Sequence, residues 1–225
     1  MAKRAENQAA SEDPAKREAI LDAAIATFAR LGFRGTDVQL VADRAGVGKG
    51  TVYRYFHCKE DLFWATTYEV LLRMERQLFA AMERVASPHV KLRAAALAYS
   101  SFFTDNPSYF ELFLQDLAEF RGSGPAAHRE HNNKMVERFG EILQQGIDCG
   151  EFRAVDKQKT TLAFGSVLFG ANVLGCRLQP MPVPEMTEYA VDLLLQGIAT
   201  ETCGKPGVFA SCSAKVGETV SRSNG

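Results

Sequence analysis

A chain of 225 residues with a formal net charge of −1 and 46% apolar side chains can build one large or two small domains with ample core. So small a charge excludes the global electrostatics of a basic nucleic-acid binder, so any such role must rest on a local concentration of cations. Five cysteines without a CxxC, and an N-terminus (MAKRAENQAASEDP) without an apolar core, argue against a disulfide scaffold and against secretion; a cytoplasmic setting is expected.

Residues 1–14 are polar and expected to be disordered. A first helix is predicted over 15–31, with Ile20, Ala24, Phe28 and Leu31 on one face and Gly32 closing it. Thr36 is the expected N-cap of a second helix, its hydroxyl accepting from backbone N–H groups near Gln39. There Val38, Val41, Ala42 and Ala45 recur at the spacing of one buried face. Gly46 can turn sharply with φ above zero, and Val52 and Phe56, four apart, give a short third helix its own buried face. Lys59 opens a long helix to about Val85, ended by Ser87-Pro88. Further helical patterns cover 89–104, 108–121, 127–148, 157–178 and 183–200, with no strand alternation and no internal repeat. From 201 to 225 the chain is small and polar, and a flexible tail is expected. The predicted fold class is all-α.

The stretch TDVQLVADRAGVGKGTVYRYFHCK, 36–59, carries the most functional information. Ala42, Gly46 and Val52 meet the steric demands of a helix-turn-helix: a small residue at the crossing, a glycine in the turn, a branched anchor in the second helix. Lys49, Thr51, Tyr53, Arg54 and Tyr55 are left facing outward, able to bond phosphates and base edges. From 44 to 59 the charged residues are Arg44, Lys49, Arg54 and Lys59, with no acid among them. Lys49, near the start of the short helix, is the expected base contact, donating to guanine O6 or N7; a phosphate contact is the alternative. Thr51 suits a thymine methyl or a phosphate. Tyr53 and Tyr55 suit phosphates, with packing of one of them in the core as the alternative. Thr36 and Lys59, each opening a helix, would clamp phosphates at the two edges of the site. Gly48 and Gly50 would let the backbone approach DNA closely.

The C-terminal part is rich in aromatics, most of them plain core, but a subset suits an apolar ligand pocket. The candidates are Phe102, Phe103, Phe110, Phe113, Phe139 and Phe169, with Gln115 and Asn172 as polar residues inside apolar runs. The uncharged run 160–176 approaches the length of a bilayer span, but glycines, Ser166 and Asn172 dilute it; a buried helix in an oligomer interface is expected instead, with no membrane role. Its small pairs Ser166/Gly170 and Ala171/Gly175, with Tyr189 and Leu194 on the last helix, suit a four-helix seam across a two-fold axis.

The runs AILDAAIATFARLGFRGTDV (19–38), AGVGKGTVYRYF (45–56) and KEDLF (59–63) resemble the signature of the TetR family of bacterial transcriptional regulators, over about residues 18–65. Gly48 stands where that pattern often has serine, and Tyr55 where it often has histidine. The resemblance implies a three-helix DNA-binding head (15–62) and a larger helical ligand-binding and dimerisation domain (63–200). It implies a homodimeric repressor on a palindromic operator in double-stranded DNA, released by a small apolar or amphipathic ligand, without a cofactor. The alternative is an enzyme or redox sensor (through Cys149 or Cys176) with an accessory helix-turn-helix. Against an enzyme, the histidines join no nucleophile motif and no phosphate loop follows a strand. No catalytic residue and no metal site is assigned; His128 and His131, three apart near Glu130, are expected at the surface.

Overall fold

A computed structural model describes residues 13–120, 124–177 and 182–200; the polar arm at 1–12 and the tail at 201–225 lie outside the described residues. Among the described residues the elements are α1 (Pro14–Gly35), α2 (Val38–Ala45), α3 (Lys49–Tyr55), α4 (Lys59–Met82), α5 (Pro88–Asp105), α6 (Pro107–Phe120), α7 (Ala126–Asp148), α8 (Lys157–Arg177) and α9 (Val183–Ile198). The single extended pairing among them is an isolated antiparallel bridge between Phe152 and Ala199. The fold is all-α, with helix ends within a few residues of the Pro and Gly breaks. No helix among the described residues is long and apolar enough to cross a membrane.

The chain divides into two compact units, Met1–Arg73 with Asn106–His128, and Met74–Asp105 with Arg129–Gly225. In the first, Asp13 caps α1 by accepting from the Ala15 N–H at 3.0 Å, and Ile20, Ala24 and Phe28 are buried along one face. Gly32, with φ 75°, interrupts the helix after Leu31. The cap of α2 is Asp37, not Thr36: its carboxylate accepts from the Gln39 N–H at 2.8 Å. Thr36 is buried and donates its hydroxyl to the Gly32 carbonyl at 2.8 Å. Either side chain can cap, but starting one residue later buries Val38 and places the stronger capping group at the helix end.

Helix α6 packs with the head helices. Its Gln115 donates to the Phe28 carbonyl at 2.9 Å, and Glu119 pairs with Arg34 at 2.8 Å. The Phe120 ring lies 5.0 Å from Phe33 and 4.4 Å from Trp64. Arg73 of α4 donates to Glu69 on its own helix, to Asp22 of α1 and to Tyr109 of α6. A boundary at residue 62 therefore separates segments that pack as one unit.

In the second unit, α9 packs on α8 and α5 around Leu92, Leu143, Phe152, Val191 and Leu195. Glu151 is 1% exposed, and its Oε2 accepts from the Ser87 hydroxyl at 2.8 Å and the His89 N–H at 2.9 Å, at the start of α5. Those donors and the positive helix end offset part of the cost of burying this side chain, whose Oε1 is buried without a hydrogen-bond partner among the described residues. Hydrogen bonds to charged groups contribute about 1.5–3 kcal/mol each. Glu151→Ala should therefore lower the unfolding free energy by about 3 kcal/mol, read as a drop in the urea midpoint at constant slope. An unchanged midpoint would show that the carboxylate holds nothing.

Candidate DNA interface and ligand cavity

The turn between α2 and α3 is built by Gly46, whose φ of 67° is costly for any residue with a Cβ. That conformation lets the Gly46 N–H reach the Asp43 carbonyl at 3.2 Å and the Val47 N–H reach that of Ala42 at 3.0 Å, closing α2. Ala42 and Val52 are fully buried, as expected of the crossing residue and the anchor. With Val52 and Phe56 turned inward, Gly50, Tyr53 and Arg54 are exposed and Lys49 and Thr51 half-exposed; Arg44 is exposed on α2. A Cβ at Gly48 or Gly50 would meet nothing within 4 Å, so the surface at the start of α3 is open to close approach.

Lys49 donates to Asp37 Oδ1 at 2.9 Å, both side chains being largely exposed. The Gln39 N–H, and then the Lys49 ammonium, hold the Asp37 carboxyl below its ordinary range, while Asp37 holds Lys49 above its own. So exposed a pair adds little to stability. It does orient Lys49, and it places a negative charge among the site's cations, a member of the site that the sequence reading missed. An aspartate directly before an apolar helical run was the available signal.

The two tyrosines part company. Tyr53 is 40% exposed. Tyr55 is half-buried, its hydroxyl accepting from the Asp13 N–H at 3.0 Å, so it ties α3 to the start of α1. Lys59 donates to the Arg34 carbonyl at 3.2 Å and lies 4.9 Å from the Phe33 ring centroid. Thr36, committed to Gly32, is 3% exposed.

The second unit holds a cavity of about 150 Å³ between α4, α5, α7 and α8. Its walls are Met74, Leu78, Leu92, Tyr99, Met135, Phe139, Leu143, Thr160, Thr161, Phe164, Gly165 and Leu168, with no charged side chain among them. Of the residues expected in a pocket, Phe139 alone lines this one. Phe102 and Phe103 are buried core, Phe103 packing against Tyr99 at 5.0 Å. Phe169 is half-buried on α8, and Asn172 is fully buried with its amide donating to the Leu168 carbonyl at 2.9 Å. Phe110, Phe113 and Gln115 belong to the first unit. Phe113 there borders a small pocket with Thr67, Tyr109 and Asp116, whose carboxyl burial pushes upward.

Helices α8 and α9 leave an apolar face uncovered: Leu162 is 53% exposed, Leu174 43%, Tyr189 63% and Leu193 55%. Ser166 lies on that side and Gly170 is half-exposed. Ala171 is instead 4% exposed, and Leu194 packs against the unit's own core. The surroundings of Gly175 lie outside the described residues.

His128 and His131 are buried, a correction to their expected surface position. His128 sits 3.1 Å from the Thr67 hydroxyl between the rings of Trp64 and Tyr68. Among the described residues no cluster of His, Cys, Asp and Glu is placed to hold a metal ion.

The model of bacterial regulatory proteins of the tetR family matches residues 20–66, and that of a tetracyclin repressor-like C-terminal domain matches residues 85–172. The HTH-type transcriptional regulator YhgD of Bacillus subtilis is 30% identical over 149 residues, 64% of this chain and 76% of its own. The HTH-type transcriptional repressor KstR2 of Mycobacterium tuberculosis is 29% identical over 153 residues, 65% of this chain and 74% of its own. Among solved structures, the transcriptional regulator FadR from Bacillus subtilis, in complex with stearoyl-CoA, shares the fold with a TM-score of 0.68 at 22% identity, over 81% of this chain and 99% of its own. With its N-terminal and central segments matched and its turn, crossing and anchor residues in place, the chain belongs to the TetR family of bacterial DNA-binding transcriptional regulators.

Proposed function

We propose that this regulator is a cytoplasmic repressor that binds a palindromic operator as a homodimer and releases it when an acyl-chain ligand enters the cavity of the second unit. The observation that carries the ligand class is the wall of that cavity, hydrocarbon and hydroxyl without one charge. An uncharged cavity of this size suits an apolar group about as large as benzene, so it takes the hydrocarbon part of an amphipathic molecule and not its polar head. The likeness to a stearoyl-CoA-bound regulator supports an acyl thioester. The repressor KstR2 among the relatives supports repression over activation.

On the DNA side, Lys49 reads a base while Thr51, Tyr53 and Arg54 meet phosphates, with Arg44 and Lys59 at the flanks and the open backbone at Gly48 and Gly50 allowing close contact. Thr36 and Tyr55 support this surface from within: one ends α1, the other anchors α3. Two copies of α3 would enter successive major grooves. Helix α4 belongs to both units, since Arg73 bonds Asp22 and Tyr109 while the next residue, Met74, lines the cavity. A ligand that favours one position of α4 changes operator affinity by its differential binding to the two states. The chain is read as a regulator without a catalytic step.

The test is release of a labelled fragment of its own promoter by acyl-CoA thioesters of increasing chain length. Release with an optimum at one length is expected. Intact DNA binding that no chain length relieves would overturn the acyl reading.

Asp37→Asn probes the DNA surface separately. Asparagine caps a helix as well as aspartate does, so the fold should hold while one negative charge leaves the site. Affinity for DNA of any sequence should rise roughly two- to fivefold, the scale of one exposed ion pair. Weaker binding would show that Asp37 positions Lys49 productively.

A further inference from the structure

Among the described residues Thr161 differs from several other helical hydroxyls. Thr27, Thr66, Thr104 and Ser166 each donate to the carbonyl four residues back, at 2.6–2.9 Å. Thr161 has that same option on α8, yet its Oγ1 is buried without a hydrogen-bond partner among the described residues. A buried hydroxyl left unbonded carries its full desolvation penalty. Thr161 also lines the apolar cavity, where among the described residues Thr160 and Tyr99 are the other lining side chains bearing a hydroxyl. Rotation about its Cα–Cβ bond exchanges methyl and hydroxyl between staggered positions, and no hydrogen bond has to break for it. Among the described residues no charged side chain lines the cavity, so a carboxylate or phosphate entering it would lose its hydration without compensation from them.

We propose that Thr161 is the residue that sets ligand specificity in the cavity, donating its hydroxyl to one neutral carbonyl oxygen on an otherwise hydrocarbon chain, as an acyl thioester presents. This rests on the acyl-ligand reading above and assigns the atom that distinguishes an acyl chain from a plain alkyl chain. A hydroxyl that gains a partner only when the ligand is present contributes to binding without having stabilised the free protein. Tyr99 is the competing donor, its ring held edge-on against Phe103.

The full-length protein is titrated calorimetrically with hexanoyl-CoA and with S-hexyl-CoA, a thioether that keeps chain and coenzyme but lacks the carbonyl oxygen. Wild type should bind the thioester about fivefold or more tightly than the thioether. Thr161→Val should bind the two equally, and Tyr99→Phe should keep the preference. Without ligand, Thr161→Val should melt at a higher temperature than wild type, because a methyl of similar shape replaces a buried unbonded hydroxyl. Equal binding of both compounds by wild type would overturn the role of Thr161 and leave the acyl reading standing. So would a preference lost in Tyr99→Phe and retained in Thr161→Val, or a lower melting temperature for Thr161→Val. If wild type bound neither compound, the acyl reading and this assignment would fall together.

Discussion

Raising the salt from about 50 to 200 mM should weaken operator binding by roughly 10³–10⁵-fold, the loss expected of a dimer contacting on the order of 6–10 phosphates. The motive is the unbroken basic set Arg44, Lys49, Arg54 and Lys59 on a chain whose net charge is only −1. The structure refines this expectation. Asp37 already neutralises part of Lys49 at 2.9 Å, acting as a counterion that is not released into solution. Asp37→Asn should therefore steepen the salt slope as well as tighten binding. Lys49→Ala should cost about 1–3 kcal/mol and relax preference at one position per half-site, whereas Tyr53→Phe should weaken all sequences alike. A salt-independent titration against its own promoter would rule out the DNA-reading surface; an unchanged preferred sequence for Lys49→Ala in a selection would reassign Lys49 to a phosphate.

The parts of the molecule that were legible in the sequence are those fixed by local chemistry. Glycines with positive φ interrupt a helix and prolines favour its first turn, so Gly32, Pro88, Pro107 and Gly150 marked the elements closely, while glycines such as Gly146 and Gly165 are carried inside helices. Ala42, Gly46 and Val52 act within about ten residues of one another, and a turn that short is specified by its own side chains. What could not be read depends on partners distant in sequence. The periodicity of α6 shows that one face is buried, but not that the covering surface is α1, reached through Gln115 and Phe28. A fragment ending at residue 65 would lose the Phe120 ring that covers Phe33 and Phe63, so it is a poor stand-in for the head. The cavity was illegible for a related reason. Met74, Leu78 and Leu143 are the residue types of any core, and only packing reveals that they stop short of one another. Asp37 shows a third limit: Thr36 and Asp37 are both competent caps, and the burial of Val38 decides between them.

Gly170→Arg should produce a well-folded monomer that no longer binds its operator. A Cβ at Gly170 would meet nothing within 4 Å inside the protomer, so the new side chain has room in a single chain and little effect on its fold is expected. The same position adjoins the face carrying Leu162, Leu174, Tyr189 and Leu193, which a lone protomer leaves in water. If a second copy covers that face, an arginine there is a desolvated, unpaired charge costing about 3–5 kcal/mol, enough to raise the dimer dissociation constant by roughly two to four orders of magnitude. Ala171 is the control, one residue along the same helix but turned into the protomer core at 4% exposure. Ala171→Arg should destabilise folding itself, seen in the melting temperature, whereas Gly170→Arg should leave the monomer's circular dichroism intact and change only its sedimentation. The monomer should also lose operator binding, because one recognition helix makes too few contacts to distinguish an operator from bulk DNA. Wild type that sediments as a monomer at micromolar concentration would refute the dimer, and the palindromic-operator mechanism with it, leaving that apolar face to some other partner.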